Sequence, residues 1–238
     1  MCDDKRRAEA SRLWDETLLA AERHERAPPR TAGQLFRVFD PVVAELDRLL
    51  PCWEHQPKEY DKGKVSIARI LEFVGDAAMD LADYRAARTA YRRAIGAMPE
   101  AWGDGEVLAK RAALAESVIN ADYSLLRSRQ PAKTQSELFD LLVADYGELV
   151  DAGRSSLRRL LKYQQADSKK SAESMADVLK HMLASAGYVY DARAELQRNH
   201  SVADLPTTWD AQAQYLDGQT GAWTTELRQL TERRKSTR

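Results

Sequence analysis

The chain has 238 residues, 36 Lys and Arg against 37 Asp and Glu, a formal net charge of −1, and only 11 Gly and 8 Pro. That balance excludes a collagen-like or Pro/Gly-rich chain, a disordered polyelectrolyte and a globally basic nucleic-acid binder. No uninterrupted apolar run of about 18 residues exists, so a membrane-spanning helix is not expected either. The first element is a helix over residues 4–26, with Ala10, Leu13, Trp14, Thr17, Leu18 and Ala21 on one side and Ala27-Pro28-Pro29 ending it. Thr31 can cap the next helix. Asp40-Pro41 reads as a break, with Asp40 as N-cap and Pro41 at the first position of a segment running to about Leu50. Residues 51–63, with two prolines and a glycine, form the longest expected loop.

From residue 64 the pattern is strongly helical. Ile67, Ile70, Leu71, Val74, Ala78 and Leu81 follow the spacing of one helix face. A short turn at Ala82-Asp83 precedes a second helix to Met98, and Pro99 follows. Residues 104–130 are helical, with Val107, Leu108, Leu114, Val118, Ile119 and Leu125 inward and Pro131 at the end. Thr134-x-x-Glu137 is a capping-box signature for a helix carrying Leu138, Leu141, Leu142, Leu149 and Val150. Asp151-Ala152-Gly153 reads as a turn, followed by a basic helix to about Gln165. Ser168 restarts the chain into a long helix to about Asn199, and the last helix begins at Leu205-Pro206-Thr207-Thr208 and ends near Arg234. Short connections make neighbouring helices antiparallel. In the last two helices Met175, Leu179, Met182, Ala186, Val189 and Leu196 face Trp209, Ala213, Leu216, Thr220, Trp223, Leu227 and Leu230 in alternating steps of three and four, interrupted by Arg193. That seam is read as internal packing, with self-association through 175–230 as its alternative use.

Residues 68–101, ARILEFVGDAAMDLADYRAARTAYRRAIGAMPEA, then stand out. Gly75 and Ala87 lack the side chains that hold paired helices apart, and Tyr91 supplies the bulk that fills the groove between them. With Leu71 and Val74 in the first helix, Ala87, Tyr91 and Ala94 in the second, Tyr84 opening it and Pro99 closing the unit, this stretch resembles a tetratricopeptide repeat (TPR), a helix–turn–helix of about 34 residues. Ala78 departs from the large aromatic common at its place. One repeat cannot bury both its faces. Shifted by 34 residues, Leu108, Ala109, Ala121 and Leu125 fall in repeat-like places while Ser128 and Pro131 fit poorly, and residues 138–166 look like another helical hairpin without the small–aromatic–small signature. The resemblance implies an all-α fold of antiparallel helical hairpins, a TPR-like α-solenoid with a right-handed superhelix and capping helices. The segments are 1–50, 64–166 and 168–238, read as one continuous domain. It also implies a concave face for a peptide or protein. Lys64 and Arg69 do not reproduce the cationic set with which one branch of the family grips a terminal carboxylate.

Chemistry-bearing motifs are sparse. Cys52 and His55 have C-x-x-H spacing, but His24, His181 and His200 complete no metal set, so no metal and no cofactor are expected. His181, beside Met182 and Leu183, reads as a packing histidine. No phosphate-cradling glycine loop and no nucleophile elbow occurs, and no catalytic residue is assigned. Cys2 and Cys52 read as reduced thiols, and the N-terminus lacks the apolar segment of a secretory signal, so a cytoplasmic location is expected. Glu137, Asp140, Asp145, Glu148 and Asp151 form an acidic stripe. Arg154, Arg158, Arg159 and Lys162, extended by Lys169 and Lys170, form a basic one that can pair with it across a hairpin. A second basic row is Arg85, Arg88, Arg92 and Arg93, and the C-terminus carries Arg233, Arg234, Lys235 and Arg238.

The function expected from these features is a non-enzymatic interaction adaptor. Its partner surface would comprise Lys64, Glu72, Asp76, Met79, Arg85, Arg88, Arg92 and Trp102, with Trp53 as a further aromatic candidate beside the repeat. The alternative is a helical accessory subunit of a nucleoprotein complex using the basic rows. Nucleic acid is the less favoured partner.

Overall fold

The computed structural model describes residues 31–54, 56–99, 105–128, 132–163, 168–199 and 209–236, with a few isolated positions between 8 and 19. The expected first helix, Trp102, Pro131, and the side chains of His24, His55, Lys162, Lys169, His200, Trp209 and the basic C-terminus lie outside that set. The fold is all-α. Its helices are α1 (Ala32–Leu49), α2 (Pro57–Asp80), α3 (Tyr84–Ala97), α4 (Gly105–Arg127), α5 (Ala132–Tyr163), α6 (Ser168–Asn199) and α7 (Trp209–Ser236). A 3-10 turn at Leu50–Trp53 lies between α1 and α2. No described residue is in a strand, and no described helix is long and apolar enough to cross a membrane. The chain forms two compact units, Met1–Glu100 and Ala101–Arg238. Their border falls inside 64–166, the stretch read above as one array.

In the first unit, Thr31 caps α1 as expected, its hydroxyl accepting from the Gln34 N–H at 3.3 Å. The expected break at Asp40-Pro41 is absent, and Pro41 lies inside α1. The buried stripe Leu35, Phe39, Val43, Leu46 and Leu49 runs straight through that point. Pro41 sits on the exposed side, where solvent can serve the Arg37 carbonyl left without a donor. The expected loop over 51–63 is also shorter than read, because α2 starts at Pro57, a residue preorganised for a first helical turn. Gly63 then lies where a Cβ would be 2.7 Å from Leu50 Cδ2. Phe39 of α1 meets Phe73 of α2 edge-on, with ring centroids 5.5 Å apart.

The turn between α2 and α3 is sharp. Asp83 N–H donates to Ala78 O at 3.0 Å and Ala82 N–H to Met79 O at 2.9 Å, the paired bonds of a Schellman ending. Ala82 carries the left-handed conformation, φ 56°, usually left to glycine. Asp83 then caps α3, accepting from Ala86 N–H at 3.1 Å.

In the second unit α4, α5 and α6 pack mutually and α7 packs on α6. The expected turn at Asp151-Ala152-Gly153 does not exist: α5 is one helix of 32 residues. Gly153 is buried against Met182 of α6, whose sulfur occupies the place of a Cβ. It marks a close helix–helix approach, where the sequence reading took it for a turn. The acidic and basic stripes therefore lie in succession along one helix and do not face each other across a hairpin. Helix α5 begins at Ala132, so Thr134 lies within its first turn. The seam between α6 and α7 is internal: Met175, Leu179, Met182, Ala186, Val189, Leu196, Leu216, Trp223 and Leu230 are all buried.

Cys52 is disulfide-bonded, which corrects the reduced-thiol reading. The chain's other cysteine, Cys2, lies outside the described residues.

Candidate functional site

The α2–α3 hairpin carries most of the surface proposed from sequence. Ala87, Ala90 and Ala94 are fully buried and Tyr91 is 3% exposed. A Cβ on Gly75 would lie 2.5 Å from Tyr91 Cε1, so the ring rests on the bare backbone of α2. Its hydroxyl donates to Asp76 Oδ1 at 2.6 Å. Glu72, Asp76 and Asp80 recur every four residues, hence along one face of α2. All three act on the phenol. Burial first, then the Asp76 bond, then the field of these carboxylates pushes its pKa far above the ordinary value. Asp76 is exposed, and Glu72 and Met79 are half-buried. Lys64 stands two turns earlier, its ammonium 4.9 Å from the Tyr60 ring centre.

The basic row on α3 is not one solvated stripe. Arg85 is exposed. Arg88 and Arg92 are half-buried, and their Nε atoms are sealed from solvent. Arg93 is committed to α1, donating to Asp40 Oδ1 at 2.6 Å and standing 5.9 Å from the Phe36 ring centre. Glu72 and Asp76 are thus brought together with Tyr91, and Arg85 opens the adjoining helix. Lys64 belongs to the other end of α2. Trp53 is half-buried in the 3-10 turn.

A second feature was missed from sequence. Paired contacts between α4 and α6 keep a nearly constant offset: Glu106 with Lys170 at 3.1 Å, Glu116 with His181 at 2.6 Å, Tyr123 with Tyr188 at 5.5 Å between ring centres, and Arg127 with Glu195 at 3.5 Å. A constant offset means that the two helices run parallel. Between their N-terminal halves lies a cleft of about 380 Å³, lined by Glu106, Ala109, Lys110 and Ala113 of α4 and Lys170, Glu173, Ser174, Asp177 and His181 of α6. The two alanines leave the space open. Gly105, against which Ser174 packs, lets the helices close together at its end.

His181 is therefore more than a packing residue. Its Nδ1 meets Glu116 Oε2 at 2.6 Å, with side chains 31% and 22% exposed. A carboxylate only accepts hydrogen bonds, so Nδ1 of His181 carries a proton and donates it to Glu116. Glu116 does not line the cleft and His181 does. The helical spacing Glu173, Asp177, His181 could have suggested one face; no local signal announces Glu116 as its partner. Among the described residues, no group of three or more His, Cys, Asp or Glu is placed to hold a metal ion.

No family model and no curated protein matches the chain. Among solved structures, the fold is similar to a chain described as "Computational Design of Self-Assembling Cyclic Protein Homooligomers", with a TM-score of 0.50 and 13% identity over 100% of both chains. At that identity the likeness concerns the helical fold alone.

Proposed function

We propose that the chain is a non-enzymatic adaptor whose TPR-like α2–α3 hairpin offers a protein or peptide partner a surface around Glu72, Asp76, Met79 and Arg85. The supporting observation is the seating of Tyr91 on Gly75, because close interlocking of two helices is what lets such hairpins stack as repeats in a solenoid and expose one edge. The acidic file on α2 beside exposed Arg85 suits a partner carrying basic side chains. Affinity capture after nuclease treatment tests this, comparing wild type with Asp80→Lys and Arg85→Glu, both at exposed positions. Protein partners should survive nuclease and be lost with the variants. Capture that depends on nucleic acid and falls steeply with salt would replace the adaptor with the nucleoprotein reading.

Self-association is the second reading. The designed protein of similar fold is described as self-assembling. Here the apolar seam of α7 is spent on α6, which leaves Tyr215, Gly218, Ala222 and Thr225 exposed on its outer side. Sedimentation of wild type against Ala222→Glu decides it: a dimer that the variant dissociates supports association through α7, and a monomer in both excludes it.

The adaptor reading carries a cytoplasmic location with it. The Cys52 disulfide stands against that location, since such bonds persist mainly in oxidising compartments. Thiol alkylation of the native chain before and after reduction separates the two. Labelling only after reduction favours an oxidising compartment.

A further inference from the structure

We infer that Cys52 is bridged to Cys2 of the same chain, and that this bond is a redox-sensitive strap holding the N-terminal segment, residues 1–30, against the end of α1. Three observations carry this, and none depends on the adaptor reading. The first is a count: the chain has two cysteines and Cys52 is disulfide-bonded, so within one chain Cys2 is the partner that remains. The second is proximity. Arg48, in the last turn of α1, donates to Glu45 Oε2 at 2.8 Å. Its charge is favoured chiefly by that bond and the field of Glu45, and further by the nearby carboxylate of Glu9. Arg48 and Cys52 are four residues apart, so Glu9 lies at the same corner of the first unit as the bridge. The third is a covered face. Glu9 and Leu13, one helical turn apart, are half-buried, whereas Arg12, Asp15, Glu16 and Leu19 are exposed. One side of this stretch is shielded, as for a helix laid on a larger body.

The covalent bond is the main fastening. Arg48 is exposed, and the attraction of an exposed guanidinium for Glu9 is weak in water. A bridge from residue 2 to residue 52 removes most of the open arrangements of the segment, because its far end is already fixed to α1 at Thr31. Cys52 is only half-buried in the 3-10 turn, within reach of a reductant. The reductant is a dithiol. One of its thiolates attacks the bridge and its second thiol resolves the mixed disulfide. Two electrons and two protons pass to Cys2 and Cys52, which become thiols, and the dithiol becomes a disulfide. The segment then keeps its connection at Thr31, the weak attraction of Glu9 and its one shielded face, and opens more often.

The intact chain is equilibrated with oxidised glutathione and its disulfide mapped by proteolysis and mass spectrometry. Amide hydrogen exchange over residues 8–19 is then measured with and without dithiothreitol. The expected result is a linked peptide pair containing Cys2 and Cys52 from a monomeric chain. Exchange over 8–19 should quicken about tenfold or more on reduction, while that of α3, in the same unit, stays unchanged. Cys2→Ser alters the end of the segment and leaves the 3-10 turn intact. It should show the fast exchange with or without dithiothreitol, and it keeps the test valid if Cys52→Ser disturbs the turn. A disulfide between two chains, or two free thiols after oxidation, would overturn the inference. So would exchange over 8–19 that ignores reduction, or Cys2→Ser exchanging as slowly as the oxidised wild type.

Discussion

Gly75→Ala tests how α2 and α3 interlock. In an open helical position the exchange is favourable by about 1 kcal/mol, because alanine loses less backbone freedom on folding. Here the added methyl would lie 2.5, 2.7 and 2.9 Å from Cε1, Cδ1 and Cζ of Tyr91. A buried aromatic ring cannot swing aside as a lysine end can. It is also held by its hydroxyl bond to Asp76. Overpacking costs about 1–3 kcal/mol, and displacing the ring forfeits a hydrogen bond to a carboxylate that contributes about 1.5–3 kcal/mol. Against the 1 kcal/mol gain, a net destabilisation of about 3 kcal/mol is expected. Urea unfolding followed by far-UV circular dichroism measures it. Gly147→Ala is the control: it lies mid-helix in α5 with nothing within 4 Å of the added Cβ, and should stabilise by up to about 1 kcal/mol. If Gly75→Ala is as stable as wild type, the ring does not rest on the backbone and the interlocking argument fails.

Further predictions follow from the same packing. The Tyr146 hydroxyl is buried without a hydrogen-bond partner, so Tyr146→Phe should raise stability by about 1 kcal/mol, and a loss in urea unfolding would reveal a hidden partner. Ala82→Gly should stabilise by about 1 kcal/mol by relieving the left-handed residue at φ 56°; a lowered urea midpoint would count against that geometry. Tyr91 and Tyr146 have folded pKa values raised above the ordinary phenol value, chiefly by burial. A raised value means that the folded state holds the proton more tightly, so their contribution is complete below about pH 10 and falls away above it. Urea midpoints should decline from about pH 10 upward, less so in Tyr91→Phe, and a wild-type midpoint that stays level there would refute this.

The all-α fold was legible because helical periodicity is a local signal. The stripes at Ile67, Ile70, Leu71, Val74 and Ala78 and at Met175, Leu179, Met182 and Ala186 are buried as read. The misreadings share one cause. Pro41, Pro57 and Gly153 are punctuation residues whose usual meaning is a break, and each has a second meaning that only the tertiary environment selects. Pro41 is tolerated inside α1 because its side faces solvent, Pro57 starts a helix, and Gly153 admits Met182. The acidic and basic halves of α5 then acquire a different sense. Negative charge gathers toward the N-terminal half and positive charge toward the C-terminal half, the order that complements the helix dipole most strongly in the end turns.

The candidate sites divide along the same line. On α2 and α3 the Gly75–Tyr91 contact joins residues 16 apart across a three-residue turn, so size complementarity in neighbouring helices reveals it. Glu116 and His181 are 65 residues apart and belong to helices that are not consecutive. Their meeting depends on α5, which at 32 residues extends about 48 Å and carries the chain back so that α6 can retrace α4 in the same direction. Had Gly153 been a turn, α5 would have ended about two-thirds of the way along. The following segment would then have run parallel to α4 and reversed the direction of α6. The histidine would then face a different level of α4, without its carboxylate. The pairing of α4 with α6 therefore depends on the continuity of α5 at Gly153, where the bare backbone seats Met182 and draws α6 close.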